Sequence, residues 1–243
     1  MSGLKDSEMK LVIVSDIHSN YEALVAVAHA EKADEIWCLG DLVDYGPEPA
    51  EVVQWVRHHA SQCVLGNHDY ALAFNADCGC SPKFRRLSEL SRKMNRALLS
   101  PEQIDFLRDL PRSKNVDAGG HRFHLSHGAP GGDIYRYDLI PKVSDAVLLD
   151  ACRKIDADFI LCGHTHFPMV RNIDNKVFVN PGAVGLQHDG NWRASYAIWN
   201  DGKVKLHRVK YDEEKCAGKL RASKLPPDAA EQLAQIIETG QGP

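Results

Sequence analysis

Short apolar segments alternate with amphipathic helical patterns over the first quarter of the chain. The segment from Lys10 to Ser15 is rich in β-branched residues and predicts a buried strand. Similar strands are predicted at 35–40 and 62–66, and helices at 21–32 and 50–60. This β-α-β-α-β order predicts parallel strands with helices packed on the sheet.

The middle of the chain and its C-terminal part follow different patterns. Residues 74–110 are helical and more charged, contain no predicted strand, and could cover an active site. Strands resume after this insert in hairpins that turn at 118–120, 174–175 and 200–202. We predict one domain over residues 9–211 that includes the insert, then a C-terminal tail and helix over 212–243. The first eight residues are expected to be an extension of this domain.

Composition and charge narrow the classes of function. With 243 residues, 44% hydrophobic and 26% charged, the chain is typical of a globular protein with a sizeable core. The net charge of −4, without a block of like charge, argues against a general nucleic-acid or membrane-surface binder. We therefore expect no stable nucleic-acid complex. No apolar run is long enough to cross a bilayer, and the sequence does not indicate an oligomeric state.

The seven cysteines fit a reducing compartment and predict a cytoplasmic protein. Cys38 and Cys162 lie inside apolar segments and are expected to be small buried hydrophobic residues. Cys78 and Cys80, in the segment CGC, could be a redox or metal pair. Two ordinary loop thiols are favoured, because no second cysteine pair has zinc-site spacing.

Polar motifs occur where five of the predicted strands end. They are DIH at 16–18, GD at 40–41, GNHD at 66–69, HG at 127–128 and GHTH at 163–166. Loops at the carboxyl ends of parallel strands gather along one crevice, so we expect these motifs to converge. Nitrogen and oxygen ligands without a thiolate suit Mn, Fe, Zn, Ni or Co. The ligands are too many for one ion, which favours two cations with a carboxylate between them.

The conformation of two motifs bears on which ion each side chain can reach. We expect DIH to be extended, so that Asp16 and His18 project to the same side and can bind one ion. His164 and His166 share a side only if their segment is extended as well. A looped segment could instead give one imidazole to each metal.

The ordered set of motifs, from Asp16 to His166, resembles the calcineurin-like metallophosphoesterases, in particular the small prokaryotic phosphodiesterases of that superfamily. The resemblance implies an α/β fold, a four-layer α/β/β/α sandwich of two mixed β-sheets flanked by helices. It also implies a centre of two divalent metal ions, with Mn favoured. Carried over by position, the first metal would be held by Asp16, His18 and His166, the second by Asn67, His127 and His164, and Asp41 would bridge them.

The same resemblance assigns expected roles to the residues around the metals. His68 would lie near the leaving group, with Asp69 as its partner. Asp44 is expected to be structural, through hydrogen bonds to neighbouring loop groups. Together these assignments predict hydrolysis of a small phosphate ester by a metal-activated hydroxide.

The substrate class is indicated by one departure from the superfamily pattern. Tyr45 stands where the eukaryotic-type protein phosphatases have an arginine that binds the phosphate dianion. Because a monoester carries about two negative charges and a diester one, Tyr45 favours a phosphodiester or nucleotide-type ester. We also expect Tyr45 itself to contact the substrate. Arg136 could contact a phosphate, and Tyr135 or Tyr137 could stack on a base; the alternative is that all three are ordinary loop residues.

Two other functions stay open at this point. One is a phosphomonoesterase or protein serine/threonine phosphatase. The other is a protein-binding scaffold with a vestigial metal site, which is disfavoured because no predicted ligand is missing.

Overall fold

Two five-stranded mixed β-sheets form the centre of the molecule. The computed structural model describes residues 9–242, so the expected extension at residues 1–8 lies outside the described part. The strands are β1 Lys10–Val14, β2 Glu35–Cys38, β3 Ala60–Cys63, β4 Ser113–Ala118, β5 His121–Ser126, β6 Phe159–Leu161, β7 Met169–Ile173, β8 Lys176–Asn180, β9 Ala194–Asn200 and β10 Lys203–Val209. The helices are α1 Tyr21–Ala30, α2 Pro49–His59, α3 Asn67–Phe74, α4 Pro82–Leu98, α5 Pro101–Asp109, α6 Asp145–Cys152, α7 Glu213–Arg221 and α8 Pro227–Thr239.

Each sheet contains three adjacent parallel strands, with antiparallel pairing at one edge of the first sheet and at both edges of the second. The first sheet has the order β10-β9-β1-β2-β3, in which β1, β2 and β3 are parallel. The second has the order β4-β5-β6-β8-β7, in which β5, β6 and β8 are parallel. Because parallel strands share a direction, the loops after β1 and β2 lie together at the carboxyl ends of their strands in the first sheet. The loops after β5 and β6 lie together in the same way in the second sheet.

The sheets pack face to face through an aromatic core. Leu11 and Ile13 of β1 point into this core, while the alternate residues Val12 and Val14 point to the outer helices, as the period of two in a strand requires. Trp37 and Phe123 lie across the interface with their ring centroids 4.9 Å apart. Helix α6 covers the second sheet, and α1, α2, α7 and α8 share a core with the first. The predicted α/β/β/α sandwich is therefore confirmed.

The main differences from the predicted elements concern β3 and α7. The third strand occupies Ala60–Cys63 instead of 62–66: the Val64 amide still donates to Cys38 of β2 at 3.1 Å, but the Leu65 amide turns to the Pro111 carbonyl at 2.8 Å. Helix α7 was not predicted, because most of its residues are charged and its apolar stripe is short. The stripe consists of Cys216, Ala217 and Leu220. Among residues 9–242 no helix combines the length and apolarity that a membrane span requires.

The two C-terminal helices belong to the core of the first sheet. Cys216 and Leu220 of α7 and Leu233 and Ile237 of α8 are at most 1% exposed and pack in the cluster that contains Val12. The segment after residue 211 is thus an integral layer of the fold.

We expect the substitution Leu233→Ala to lower the free energy of unfolding by about 2–5 kcal/mol, because it empties a fully buried site. Urea unfolding of the purified protein measures this change. The matched control is Gln235→Ala, two residues away on the exposed face of the same helix, which should change stability by less than about 0.5 kcal/mol. Equal stability of the two variants would contradict an integral role for α8.

Candidate functional site

Six of the predicted ligand side chains converge into two buried clusters. One contains Asp16, His18 and His166, and the other Asp41, His127 and His164. Within each cluster the nitrogen and oxygen atoms that could bind an ion lie within 4.8 Å of one another. The Oδ2 atom of Asp41 lies 3.1 Å from His127 Nε2 and 3.7 Å from His18 Nε2, which puts this carboxylate between the clusters.

Asn67 completes the second cluster. Its Nδ2 donates to the backbone carbonyl of Cys78 at 2.7 Å, so its Oδ1 faces His127 Nε2 at 3.0 Å. The amide oxygen is therefore directed to the point that Asp41 and His127 also face.

Three of the histidines are held in one tautomer. Their Nδ1 atoms lie next to backbone carbonyl oxygens: His18 with Val43 at 2.9 Å, His127 with Leu39 at 2.7 Å, and His166 with Leu186. A carbonyl can only accept, so each Nδ1 donates and Nε2 is the ring nitrogen that faces the clusters. This is the usual arrangement of histidine ligands in metal sites.

Both aspartates use one oxygen for the backbone and leave the other for the site. Asp16 Oδ2 accepts from the His164 amide at 3.0 Å, and Asp41 Oδ1 accepts from the His68 amide at 2.9 Å, at the N-terminus of α3. Within the described chain the remaining oxygens, Asp16 Oδ1 and Asp41 Oδ2, have no hydrogen-bond partner, and neither ring nitrogen of His164 has one. Each unsatisfied buried polar atom costs about 1–3 kcal/mol. The residues present therefore fit a pair of divalent cations.

The charges of the site favour the same conclusion. Burial lowers the pKa of His18 and of His164 to about 3, so both rings are neutral and able to coordinate. Burial also acts to lower the pKa of His127, but the carboxylates of Asp41 and Asp16 outweigh it and raise that pKa to about 10. The two carboxylates thus attract positive charge strongly.

Five of the converging residues have a left-handed backbone. Their φ angles are +54° at Asp16, +46° at His18, +57° at Asp41, +66° at His164 and +62° at His166. The prediction of an extended DIH segment is therefore wrong. Each such residue costs on the order of 1–3 kcal/mol, and hydrogen bonds between neighbouring loops hold the conformation. The amides of Asp16 and His18, for example, donate to the carbonyls of Gly40 and Asp41, both at 3.0 Å.

The GHTH motif follows the looped alternative. His164 joins the cluster of Asp41, and His166 joins the cluster of Asp16. Two histidines that are two residues apart can therefore serve two different ions.

Gly66 of the GNHD motif makes room for Asp41. A Cβ atom at this position would lie 2.0 Å from Asp41 Oδ1 and 2.3 Å from the Asp41 amide nitrogen. A side chain cannot fit there, which explains why a glycine precedes Asn67.

The predicted partner of His68 is wrong. His68 Nδ1 lies 2.8 Å from Asp44 Oδ2. The carboxylate of Asp69 instead accepts from the backbone amides of Asp41 and Leu42, both at 2.8 Å, and of Gly66 at 3.1 Å. Asp69 is the third residue of α3, where an acidic side chain turns back to cap the helix, so it shapes the loops without contacting His68.

Asp44 is held in turn by residues of the helical insert. Arg92 of α4 contacts Asp44 Oδ2 through Nη2 at 2.9 Å and Nε at 3.0 Å. Asn95, one turn further, accepts from the Ser19 hydroxyl at 2.6 Å and the Asp44 amide at 2.8 Å, and donates to the Gly46 carbonyl at 3.0 Å. The insert therefore fixes the loops that follow β1 and β2. The insert was expected to cover an active site, but these contacts of Arg92 and Asn95 were not predicted, because a polar stripe on a helix is typical of a solvent-exposed face.

A cavity of about 240 Å³ opens beside the clusters. Its lining consists of aromatic, histidine and small polar side chains with one aliphatic residue: Tyr45, His68, Cys80, Ser81, Phe84, Tyr137, Ile140, Thr165, His166, Phe167 and His188. The Tyr45 hydroxyl lies 3.5 Å from His68 Nε2, and the Tyr137 ring centroid lies 3.7 Å from that of His164.

Two of the four candidate substrate contacts lie elsewhere. Arg136 forms a two-point ion pair with Asp138, at 2.6 and 3.0 Å, which occupies its guanidinium. The ring of Tyr135 packs on Gly79, where a Cβ atom would meet it at 2.7 Å. Neither belongs to the cavity lining in the described part of the chain, whereas Tyr45 and Tyr137 do.

The structure also adds His188 and Phe84 to the site. The His188 ring stacks on His166, with centroids 4.2 Å apart and planes 15° apart, and lies 4.8 Å from the Phe84 ring. His188 follows the NPG segment of residues 180–182 closely in sequence, which was the one available signal; Phe84 gave none.

Comparisons with known sequences agree with this geometry. Residues 9–200 match the family model described as the calcineurin-like phosphoesterase superfamily domain. An uncharacterized protein of Methanocaldococcus jannaschii is 33% identical over 244 residues, which cover 92% of this chain and 96% of that protein. A symmetrical bis(5'-nucleosyl)-tetraphosphatase of Nitrosospira multiformis is 32% identical over 149 residues, which cover 58% of this chain and only 51% of that enzyme.

Solved structures show the same fold. A metallophosphoesterase from Sphaerobacter thermophilus matches with a TM-score of 0.78 and 30% identity, over 96% of this chain and 100% of that one. A hypothetical protein from Pyrococcus horikoshii matches with a TM-score of 0.83 and 19% identity, over 97% and 100% of the two chains. At 19% identity, the similarity to the Pyrococcus horikoshii protein shows a shared fold alone.

We expect Asp41→Asn to abolish the stabilisation of the protein by Mn²⁺, because it removes the carboxylate that lies between the clusters. Wild-type protein with Mn²⁺ at a hundred times its Kd should gain about 2.7 kcal/mol, seen as a higher midpoint of thermal unfolding. Metal content after dialysis is the second measurement. Asp105→Asn, on the exposed side of α5, is the control and should behave as wild type. A full Mn²⁺ shift in Asp41→Asn would contradict the role of this residue.

Proposed function

Because the chain belongs to the calcineurin-like phosphoesterase superfamily, we propose that it hydrolyses phosphodiesters or small nucleotide-type phosphate esters with a pair of divalent metal ions. The observation that carries this proposal is the pair of buried clusters, whose inward-facing carboxylate oxygens have no partner within the described chain. Asp16, His18 and His166 would hold one ion, and Asn67, His127 and His164 the other, with Asp41 shared. Mn is favoured among Mn, Fe, Zn, Ni and Co.

Divalent ions held there would neutralise phosphate oxygens and lower the pKa of water enough to supply hydroxide near neutral pH. The protein itself supplies the proton that the leaving oxygen takes up. Asp44 engages His68 through Nδ1, so Nε2 is the atom that faces the cavity and can donate to the leaving oxygen. Despite burial, the charges of Asp41 and Asp44 raise the pKa of His68 to about 9, which keeps this proton in place.

The cavity lining supports a diester or a nucleotide over a phosphoprotein. Within the described chain it contains no lysine or arginine to meet the second negative charge of a monoester. Tyr45, Phe84, Tyr137, Phe167 and His188 offer flat rings on which a nucleobase can stack. The similarity to a bis(5'-nucleosyl)-tetraphosphatase over part of the chain points in the same direction.

The rival functions are less consistent with these observations. A vestigial site in a scaffold protein would have lost ligands, whereas all seven predicted ligand residues are present and face one another. A phosphomonoesterase remains the second candidate, because the ions could themselves balance a dianion. We also propose a cytoplasmic setting, which the seven free cysteines support.

We expect Mn²⁺-dependent hydrolysis of bis-p-nitrophenyl phosphate that exceeds hydrolysis of p-nitrophenyl phosphate. Release of p-nitrophenol before and after chelation measures both reactions. Activity on the monoester alone would favour a phosphatase, and inactivity with Mn, Fe, Zn, Ni and Co would favour the scaffold. A screen of nucleotides, cyclic nucleotides, dinucleoside polyphosphates and phosphopeptides then narrows the natural substrate.

We expect His68→Ala to retain both metal ions and to lower turnover by about 10²–10⁴-fold on esters with poor leaving groups. The loss should grow as the pKa of the leaving alcohol rises, because only such groups need a proton. Asp44→Asn should show the same dependence with a smaller loss. The control is Asp138→Asn, on the exposed loop. Unchanged turnover of His68→Ala on poor leaving groups would remove His68 from the mechanism.

A further inference from the structure

Two thiols lie against the candidate metal centre without a role in the proposed hydrolysis. They are Cys78 and Cys80, in the turn between α3 and α4, and their exposed fractions are 3% and 5%. We propose that Cys78 and Cys80 are a modification site, at which a reversible disulfide between them releases Asn67 and switches the site off. The switching rests on the proposed function, whereas the formation of the bond does not.

The two cysteines pack in one small buried cluster with Ala71, and the hydroxyl of Ser88 lies 3.3 Å from Cys78 Sγ. Gly79 between them has a left-handed backbone, φ +66°, and the Tyr135 ring packs on this turn. All seven cysteines are free in the structure, so both sulfurs are available.

A small reagent reaches this pair through the cavity. Cys80 belongs to the cavity lining, together with His68 and Tyr45, whereas Cys78 lies behind it against Ala71 and Phe84. A low-molecular-weight disulfide would therefore meet Cys80 first. A bound substrate would occupy the same space and protect the thiols.

The backbone of Cys78 connects this pair to the metal ligands. Its carbonyl oxygen accepts the 2.7 Å hydrogen bond from Asn67 Nδ2 that turns Asn67 Oδ1 toward His127. A disulfide brings the sulfurs to about 2.05 Å, closer than any hydrogen-bonded contact between thiols. The turn must tighten to allow this, and the Cys78 carbonyl moves with it. Loss of such a supporting contact to a metal ligand typically costs about 10–100-fold in metal affinity or activity.

The chemistry is a balanced thiol–disulfide exchange. One of the two sulfurs, as the thiolate, attacks one sulfur of an external disulfide RSSR and expels one RS⁻. The other protein sulfur, as the thiolate, then attacks the protein sulfur of the mixed disulfide and expels the second RS⁻. The two protein thiols lose two electrons and two protons, and RSSR is reduced to two RSH.

A second pair of cysteines provides the control. Cys38 and Cys63 are neighbours across β2 and β3. Cys63 is half-buried and is not part of the cavity lining in the described chain. Cys63→Ser therefore removes a thiol of similar chemistry from outside the site.

The test treats Mn²⁺-loaded full-length protein with oxidised glutathione and then removes the excess. Peptide mapping by mass spectrometry locates the bond, and metal content after dialysis reports the state of the ligands. We expect a bond between Cys78 and Cys80, loss of the mass of two hydrogens, and a fall of about 10–100-fold in Mn²⁺ affinity and in diester hydrolysis. A phosphine reductant should break the bond and restore the original mass, the Mn²⁺ affinity and the diester hydrolysis.

Each variant is compared with its own reduced form. Cys63→Ser should respond as wild type, and Cys78→Ser and Cys80→Ser should keep their Mn²⁺ affinity under oxidation. Failure of the bond to form, or a bond that leaves Mn²⁺ affinity unchanged, overturns the proposal. If the reduced protein hydrolyses no phosphate ester, the proposed function fails, while the mapped bond and the Mn²⁺ measurement still decide this inference.

Discussion

Two carboxylates buried side by side set the main constraint on this molecule. Asp16 and Asp41 each satisfy one oxygen with a backbone amide and turn the other into a region that water cannot reach freely. Two negative charges repel each other strongly in an interior of low dielectric constant, and positive charge between them offsets this repulsion. The surrounding imidazoles, the glycine at position 66 and the left-handed loops all serve this arrangement.

The fold and most of the site follow from short-range signals in the sequence. Strand segments rich in β-branched residues are distinctive, and each of them is followed at once by a polar motif, so the edge at which those motifs gather is fixed by strand direction alone. Residue types at that edge then specify nitrogen and oxygen coordination. For these reasons Asp16, His18, Asp41, His127, His164 and His166 could all be named before any coordinates were known.

Other parts of the site depend on contacts that no local pattern encodes. Asp69 directly follows His68 and was therefore the expected partner, whereas Asp44 lies 24 residues away in sequence. Because α3 begins at Asn67, the Asp69 carboxylate turns to the backbone and Asp44 reaches the imidazole. The left-handed angles at Asp16 and His18 arise from hydrogen bonds to a loop about 25 residues away. Arg136 and Tyr135 were suggested by their place after His127. In the structure Arg136 instead pairs with Asp138, and the Tyr135 ring packs on Gly79. Helix α7 has too few apolar residues to stand out before its partners α1 and α8 are known.

The amide of Asn95 joins Ser19, Asp44 and Gly46 with three hydrogen bonds, and so ties together the two loops that carry Asp16 and Asp41. Because Asn95 belongs to α4, the geometry of these two loops depends on a helix that carries none of the predicted ligands. The insert is therefore as much a part of the candidate centre as the loops that carry the ligand side chains.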